Sequence, residues 1–162
     1  MKGLSRMLLV VLSLFIASGF YACKSKTETH ESDKGKVEID REGEKADITI
    51  ETKEGETFTM TVNKGELPEG WPTELPVLPG GNIVFSQTEA KSNMQQISIE
   101  TEKPMADAME FYKKKLNTGG WNIENTMTMP QMNMISAKKS NRELMLQTMD
   151  VDGKTQIQII LR

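Results

Sequence analysis

Four methionines lie close together in the stretch MTMPQMNM, at positions 127, 129, 132 and 134. Alternation places Met127 and Met129 on one face of a strand that ends at Pro130. It likewise places Met132 and Met134 on one face of the segment that follows. A thioether sulfur is a soft ligand that selects Cu(I), and an exported protein can meet copper. These four residues are therefore a candidate site for Cu(I) or Ag(I).

Packing is the alternative role for these methionines. The chain contains 12 methionines, and an unbranched thioether side chain fills irregular gaps in a hydrophobic core. Six further methionines stand where core packing accounts for them, at positions 60, 94, 105, 109, 145 and 149. The sequence leaves open whether the stretch 127–134 binds metal, packs in the core or forms a flexible hydrophobic contact surface.

Other residues with catalytic or ligand chemistry are scarce. The chain has one histidine, His30, and one cysteine, Cys23. Both precede residue 37, where the region predicted to fold begins. Nucleophilic Ser–His or Cys–His pairs and the usual zinc and copper(II) ligand sets are therefore missing from that region. The Gly–Gly pairs at 80–81 and 119–120 lack the spacing of a phosphate-binding loop. We predict a protein without enzymatic activity and without a cofactor.

The lone cysteine stands where an apolar segment gives way to a charged one. Lys2 and Arg6 precede a mostly apolar run that ends at Ala22, a pattern typical of a secretory signal peptide. The run is short for a membrane-spanning helix, which needs about 20 apolar residues. A signal that ends in a small residue directly before Cys23 resembles the bacterial lipoprotein signal. That resemblance implies cleavage after residue 22 and diacylglycerol on the sulfur of Cys23.

The lipoprotein signal fits other features of the chain. An exported protein with one cysteine cannot form an internal disulfide, and several acyl chains on one residue give stable anchoring. Phe20 and Tyr21 depart from the aliphatic and small residues usual in that signal. The alternatives are a secreted protein with an unpaired thiol and an uncleaved membrane anchor.

Residues 23–36 are predicted to form a lipidated cysteine and a disordered tether, because 24–36 contain no large apolar residue. A flexible chain of this length reaches on the order of 20 Å. Removal of residues 1–22 takes away two cations and no acid, which leaves a net charge of −5. This mildly acidic chain without a basic block argues against nucleic acid as a partner and against extended contact with anionic lipid. Only the lipid on Cys23 is expected to touch the membrane.

The remaining chain divides at a proline-rich segment. Residues 37–65 alternate apolar and polar side chains and predict a small β-meander, with a hairpin turn at Gly55. Residues 66–85 hold four prolines, which exclude a helix and a central strand. Because this segment also carries Trp71 and Leu75, we predict an irregular strap that lies across a core.

Residues 66–162 are predicted to form one domain. Two alternating strands follow the strap, and apolar residues then recur at helical spacing from Met105 to Leu116. Gly119 or Gly120 ends that helix, and four more strands are expected in the C-terminal part. The predicted fold class is therefore α+β: a mostly antiparallel β-sheet with one helix packed on one face, preceded by the small β-meander.

Motifs spread over roughly residues 40–162 carry a further resemblance. The succession LPEGWPTELPVLPGG, a strand pair, AMEFYKKKLNTGGW and a hairpin-rich C-terminus resembles a group of small, largely uncharacterised bacterial envelope lipoproteins. The shared motifs are prolines, a helix stripe and a Gly–Trp cap, all of which are structural. The resemblance implies an α+β domain and a location in the cell envelope, and it implies no catalytic residue.

These inferences together predict a membrane-anchored, non-catalytic envelope lipoprotein with its domain in the periplasm. It would act as a binding or accessory module for another envelope protein or a hydrophobic ligand, through an exposed apolar patch or an open edge strand. We expect that surface around residues 127–134 or along the meander. Lys24 after the anchor, in place of Asp, favours the outer membrane if the host is Gram-negative. The alternative function is a periplasmic lipoprotein that binds Cu(I) or Ag(I) through the four methionines.

Overall fold

A computed structural model describes residues 26–32 and 35–162, which form ten strands and one helix. The strands are β1 (Lys26–Ser32), β2 (Gly35–Glu42), β3 (Lys45–Thr52), β4 (Thr57–Val62), β5 (Gly81–Glu89), β6 (Met94–Thr101), β7 (Asn122–Met129), β8 (Met132–Lys139), β9 (Arg142–Val151) and β10 (Lys154–Leu161), and the helix is α1 (Met105–Thr118). Within these residues no helix has the length and apolar character needed to cross a membrane.

All ten strands belong to one antiparallel sheet, in the order β1-β2-β3-β4-β5-β6-β10-β9-β8-β7. Strands β1 to β6 pair in chain order, and α1 then carries the chain to the far edge of the sheet. Strands β7 to β10 return as a second meander, so that β10 pairs with β6 and places Ile157 opposite Ile99. The helix contacts β7, β8 and β9 and therefore covers only one end of one face.

The predicted α+β class, with a small meander set before a helix-covered sheet, is wrong. Strand β4 pairs with β5, with Val62 opposite Phe85 and Phe58 opposite Glu89, so the meander is part of the same sheet. Within residues 26–32 and 35–162 the fold is largely β with a single helix. The alternation pattern marks each strand but carries no information about which strands pair across the strap, since that pairing is non-local. Pairing with β5 also removes an open edge that an isolated meander would expose.

The predicted tether also differs from the structure. Lys26–Ser32 form β1 and pair with β2 along its whole length, from Lys26 opposite Arg41 to Ser32 opposite Gly35. The segment lacks large apolar side chains, yet its backbone groups bond to β2, and threonine favours extended backbone. The prediction of an unstructured tether is therefore wrong for these residues.

The core lies between the sheet on one side and the helix and strap on the other. Its buried members are Trp71, Leu75, Leu78, Ile83, Ile97, Ile99, Ala108, Met109, Tyr112, Leu116, Trp121, Ile135, Ala137, Leu144, Leu146, Ile157, Ile159 and Leu161. We call the sheet face that these residues line the core face, and the opposite one the outer face. The predicted helix stripe and the predicted packing of the strap are both confirmed by this cluster.

Hydrogen bonds within the strap, which spans residues 66–80 in the structure, and from the strap to the helix keep the strap in place. The indole N–H of Trp71 donates to the carbonyl of Leu75 at 2.8 Å, which satisfies the polar group of a buried ring. The amide of Leu78 donates to the hydroxyl oxygen of Tyr112 in α1 at 3.3 Å. Burial raises the pKa of Tyr112, because desolvation disfavours the phenolate. The strap and helix are therefore joined through a neutral hydroxyl.

Replacing Tyr112 by phenylalanine removes this acceptor and leaves the ring in place. We expect the free energy of unfolding to fall by about 1–3 kcal/mol, because the buried amide of Leu78 is left without a partner. Urea unfolding followed by circular dichroism measures the change. An unchanged unfolding midpoint would show that the hydroxyl does not hold the strap.

A surface ion pair fixes the middle of the strap to the C-terminal strands. One carboxylate oxygen of Glu74 lies 2.8 Å from Lys139 Nζ and 3.0 Å from Arg142 Nη2. The guanidinium of Arg142 also lies over the ring of Trp121, 5.3 Å from its centroid. The hydrogen bond from Lys139 lowers the pKa of Glu74, since it stabilises the ionised carboxylate.

The Glu74 pairs predict a small, pH-dependent stabilisation. A carboxyl whose pKa is lowered by folding stabilises the fold above its unfolded pKa, and this contribution is lost as the pH falls through the folded pKa. The variant Glu74→Gln should be less stable at pH 7 by less than about 1 kcal/mol. It should lose less stability than the wild type between pH 7 and pH 3, as measured by urea unfolding. Equal losses in both proteins would contradict a role for this carboxylate.

A β-bulge at Val84 determines which side chains of β5 meet the core. Ile83 lies opposite Ile99 before the bulge, and Phe85 lies opposite Ser98 after it. Simple alternation would put Ile83 and Phe85 on the same face. The extra residue instead turns Phe85 to the outer face, where it joins the apolar side chains of β4 through its pairing with Val62.

Candidate functional site

The stretch 127–134 forms a tight hairpin that brings its four methionines together. Pro130 and Gln131 make the turn between β7 and β8. Met127 lies directly opposite Met134, and Met129 directly opposite Met132. Because cross-strand partners share a face and their Cβ atoms lie about 4.5–5.5 Å apart, the four side chains form two adjacent pairs on the outer face.

Strand β9 adds two more methionines to this group. Met149 lies opposite Met132, and Gln147 lies opposite Met134. Met145 is two residues from Gln147 on the same strand and therefore shares the outer face. We call these six residues, Met127, Met129, Met132, Met134, Met145 and Met149, the methionine face.

The prediction that Met145 and Met149 pack in the core is wrong, as it is for Met60 and Met94 on the outer face of β4 and β6. The stretch ELMLQTMDV contains the pattern that indicates the outer face for Met145 and Met149. Leu144, Leu146 and Thr148 are its buried residues, so alternation places Met145 and Met149 on the other face. Of the six methionines outside the stretch 127–134 assigned to packing, Met109 is buried in the core.

The methionine face is accessible from outside. Met127 and Met129 keep 39% and 42% of their surface exposed, and the other four members are half-buried. The side-chain amide of Gln147 lies at the centre and donates to the sulfurs of Met134 and Met145, each at 3.9 Å. The sulfurs of Met134 and Met145 therefore lie within reach of a polar donor on the outer face.

Strand β7 also forms one edge of the sheet. It is the last strand in the sheet order, and its residues 124–129 are all exposed. An edge strand presents backbone N–H and C=O groups that can pair with an added strand. Next to this edge, Met129, Pro130, Gln131 and Met132 line a shallow depression of about 440 Å³ at the tip of the hairpin.

The opposite end of the methionine face is charged. Lys138 Nζ lies 3.2 Å from a carboxylate oxygen of Glu143 and 3.7 Å from one of Glu124. These partners raise the pKa of Lys138, chiefly through the hydrogen bond with Glu143. The same residues border a cavity of about 210 Å³ that Met145 and Ile160 also line. The hairpin tip is thus the uncharged end of the surface.

Harder metal ligands are not grouped in the described ranges 26–32 and 35–162. No three His, Cys, Asp or Glu side chains there stand together as a metal site requires. His30 lies in β1, 3.9 Å from a carboxylate oxygen of Glu28. Cys23 and the predicted signal peptide 1–22 lie outside the described residues.

Comparison with known proteins gives one partial likeness. The model of a family described as START domain-like matches residues 84–156, somewhat less than half of the chain of 162 residues. The matched region runs from the bulge at Val84 into β10 and includes α1 and the methionine face. Searches of curated proteins and of solved structures give no match. The resemblance to envelope lipoproteins therefore stays a prediction.

Proposed function

We propose that this protein is a non-catalytic binding module held in the cell envelope by lipid on Cys23, and that the methionine face is its binding surface. The observation that carries the proposal is the position of six methionines on the outer face, two of them well exposed on an edge strand. Side chains in this position add nothing to the core. A flexible apolar surface beside an open edge suits an apolar partner.

The neighbouring side chains support an uncharged partner. On the outer face, Gln147 of β9 lies between Met134 on β8 and Gln158 on β10, and Gln158 in turn lies opposite Ser98 on β6. The surface beyond the methionines is thus polar but neutral along this line. We propose that the partner is an apolar extended segment of another envelope protein, which pairs with β7 and places alternate side chains on the methionine face.

Site-specific cross-linking in cells tests this proposal. A photoreactive phenylalanine analogue replaces Met129 in full-length protein, and a control protein carries it at Asp107, an exposed position on α1. We expect a discrete adduct from position 129 alone. The adduct should persist when Met127, Met132 and Met134 become leucine, which keeps the surface apolar, and should disappear when they become serine. Equal adducts in the leucine and serine proteins, or none in either, would contradict the proposal.

Binding of Cu(I) or Ag(I) is a second candidate function. The observation that favours it is the register of the hairpin, which sets Met127 opposite Met134 and Met129 opposite Met132. Four thioethers on adjacent positions of one face offer a soft ligand set without charge. A metal site needs the sulfur atoms, whereas an apolar contact needs only the apolar surface, so leucine substitution separates the two functions.

A Cu(I) titration against a competing chelator tests the second function. The titration compares two proteins that both carry Cys23→Ser, because an unmodified cysteine thiolate would itself bind Cu(I). In one of the two, Met127, Met129, Met132 and Met134 are also changed to leucine. Stoichiometric binding that the leucine protein loses would establish a metal site. Absence of binding by two equally folded proteins would rule out the metal function and leave the apolar contact.

A further inference from the structure

A second apolar surface covers the outer face of the N-terminal strands. The cross-strand register places one apolar group on this face of β2 to β5, consisting of Val37, Ile39, Ile48, Ile50, Phe58, Met60, Val62 and Phe85. All eight are half-buried, and none belongs to the core cluster or packs against it. We call these eight residues the N-terminal apolar face.

In the part of the chain that the structure describes, neither the helix nor the strap covers this face. The helix contacts β7, β8 and β9. Residues 66–69 of the strap line a cavity of about 440 Å³ together with Thr59, Thr61 and Ser86, which lie on the core face of β4 and β5. An uncovered apolar surface of several adjacent strands marks a contact with a partner or a membrane.

Charge is distributed unequally between the two faces of β1 to β3. The core face carries six acids and two lysines, namely Glu31, Glu38, Asp40, Glu42, Asp47, Glu51, Lys36 and Lys45. The outer face carries Lys26, Arg41, Glu28 and His30. The apolar side of these strands is therefore free of the acidic excess that gives the chain its negative net charge. An anionic surface would repel the core face and accept the outer one.

The position of β1 brings this part of the sheet close to the proposed lipid anchor. Lys26 follows Cys23 by three residues, and three residues span at most about 10 Å. The predicted tether of on the order of 20 Å is thus shortened by the formation of β1. If Cys23 carries lipid, strand β1 lies at the membrane surface, and the N-terminal apolar face begins on the next strand.

We propose that the N-terminal apolar face lies on the lipid surface in which Cys23 is anchored. This inference rests on the proposed lipid anchor. It replaces the expectation that only the lipid touches the membrane, which came from net charge and not from its distribution. The acyl chains and this face together give two membrane contacts, an arrangement that holds a protein more firmly than either alone.

The twist of the sheet keeps the methionine face available while the N-terminal apolar face contacts lipid. Neighbouring strands rotate by about 20–25°. Six strand-to-strand steps separate β3 from β8 in the sheet order, so the outer face turns by roughly 120–150° between them. The two apolar surfaces of the outer face therefore point in different directions, one toward the membrane and the other toward the periplasm.

Fluorescent labels on neighbouring residues test the proposal. Lipid on Cys23 leaves an introduced thiol as the single free one, so Phe58→Cys and Thr59→Cys each take one environment-sensitive dye on opposite faces of β4. The full lipidated proteins are placed in vesicles of phosphatidylethanolamine and phosphatidylglycerol. We expect spin-labelled lipid to quench the dye at position 58 and aqueous iodide to quench it at 59, each several-fold more than at the other position.

A second pair of sites protects the test against a variant that fails to fold. Ile39→Cys and Glu38→Cys repeat the comparison on β2, and circular dichroism confirms that each labelled protein is folded. Labels at 58 and 39 that iodide reaches, in protein shown by mass spectrometry to carry lipid, would overturn the membrane contact alone. Labels that neither quencher reaches, in molecules that also cross-link to each other, would show that the N-terminal apolar face contacts a second copy. That result would also overturn the membrane contact. A mass spectrum without lipid on Cys23 would overturn the anchor and this inference together.

Discussion

Replacing Leu75 by alanine is expected to lower the free energy of unfolding by about 3–5 kcal/mol, the upper part of the range for such substitutions. Leu75 is fully buried, with 0% of its surface exposed, in the middle of the strap. Neighbouring prolines at 72 and 76 restrict the backbone, and the carbonyl of Leu75 accepts the bond from Trp71. The strap therefore cannot collapse into the cavity, and urea unfolding should show the full cost.

The strap supplies its own control for this experiment. Leu67 lies in the same segment but keeps 41% of its surface exposed, and Leu67→Ala should change stability by less than about 0.5 kcal/mol. The same change of side chain is thus compared at a buried and an exposed position. Similar losses at both positions would contradict the packing of the strap on the core.

Replacing Ile157 by alanine is expected to cost about 2–5 kcal/mol in the free energy of unfolding. Ile157 is fully buried on β10, the strand that joins the two meanders, and lies opposite both Ile99 and Thr148. A cavity at this position loosens both halves of the core. Circular dichroism at increasing urea concentration measures the loss, and the two halves should unfold together.

A neighbouring residue on the same strand is the control. Ile160 lies on the outer face of β10 and is half-buried, so Ile160→Ala should cost clearly less than Ile157→Ala. A larger loss at Ile160 would mean that the assignment of core and outer faces is reversed.

Features that depend on a few neighbouring residues could be predicted from the sequence. The helix follows from the apolar stripe that includes Tyr112 and Leu116, and both residues are buried. The turn at Gly55 follows from its ability to adopt a positive φ, which is 79° in the structure. The strap follows from prolines that exclude regular structure beside apolar residues that need burial.

Features that depend on distant pairing could not be predicted in this way. Strand β1 is polar, and its pairing with β2 depends on backbone groups that carry no pattern. The bulge at Val84 reverses the face of Phe85 without any local signal of the usual kind, such as glycine. Net charge gave no indication that acids gather on one face of β2 and β3, because that distribution appears only once register is known.

The methionines combine a feature that depends on neighbouring residues with one that depends on pairing between strands. Alternation correctly paired Met127 with Met129 along one strand, but it could not show that Met134 stands opposite Met127. That juxtaposition depends on a two-residue turn at Pro130 and Gln131, since a turn one residue longer would shift the register. The apolar character of methionine predicts core packing for Met145 and Met149, and this expectation hides the contribution of β9 to the methionine face.

Oxidation footprinting of methionine tests most directly whether the methionine face is a binding surface. Dilute peroxide converts accessible methionines to sulfoxides, and mass spectrometry gives the rate at each position in purified protein and in intact cell envelopes. We expect Met127 and Met129 to react fastest in purified protein and to be protected in envelopes, while Met105 on the helix reacts equally in both. Equal rates at Met127 and Met129 in the two preparations would contradict the account.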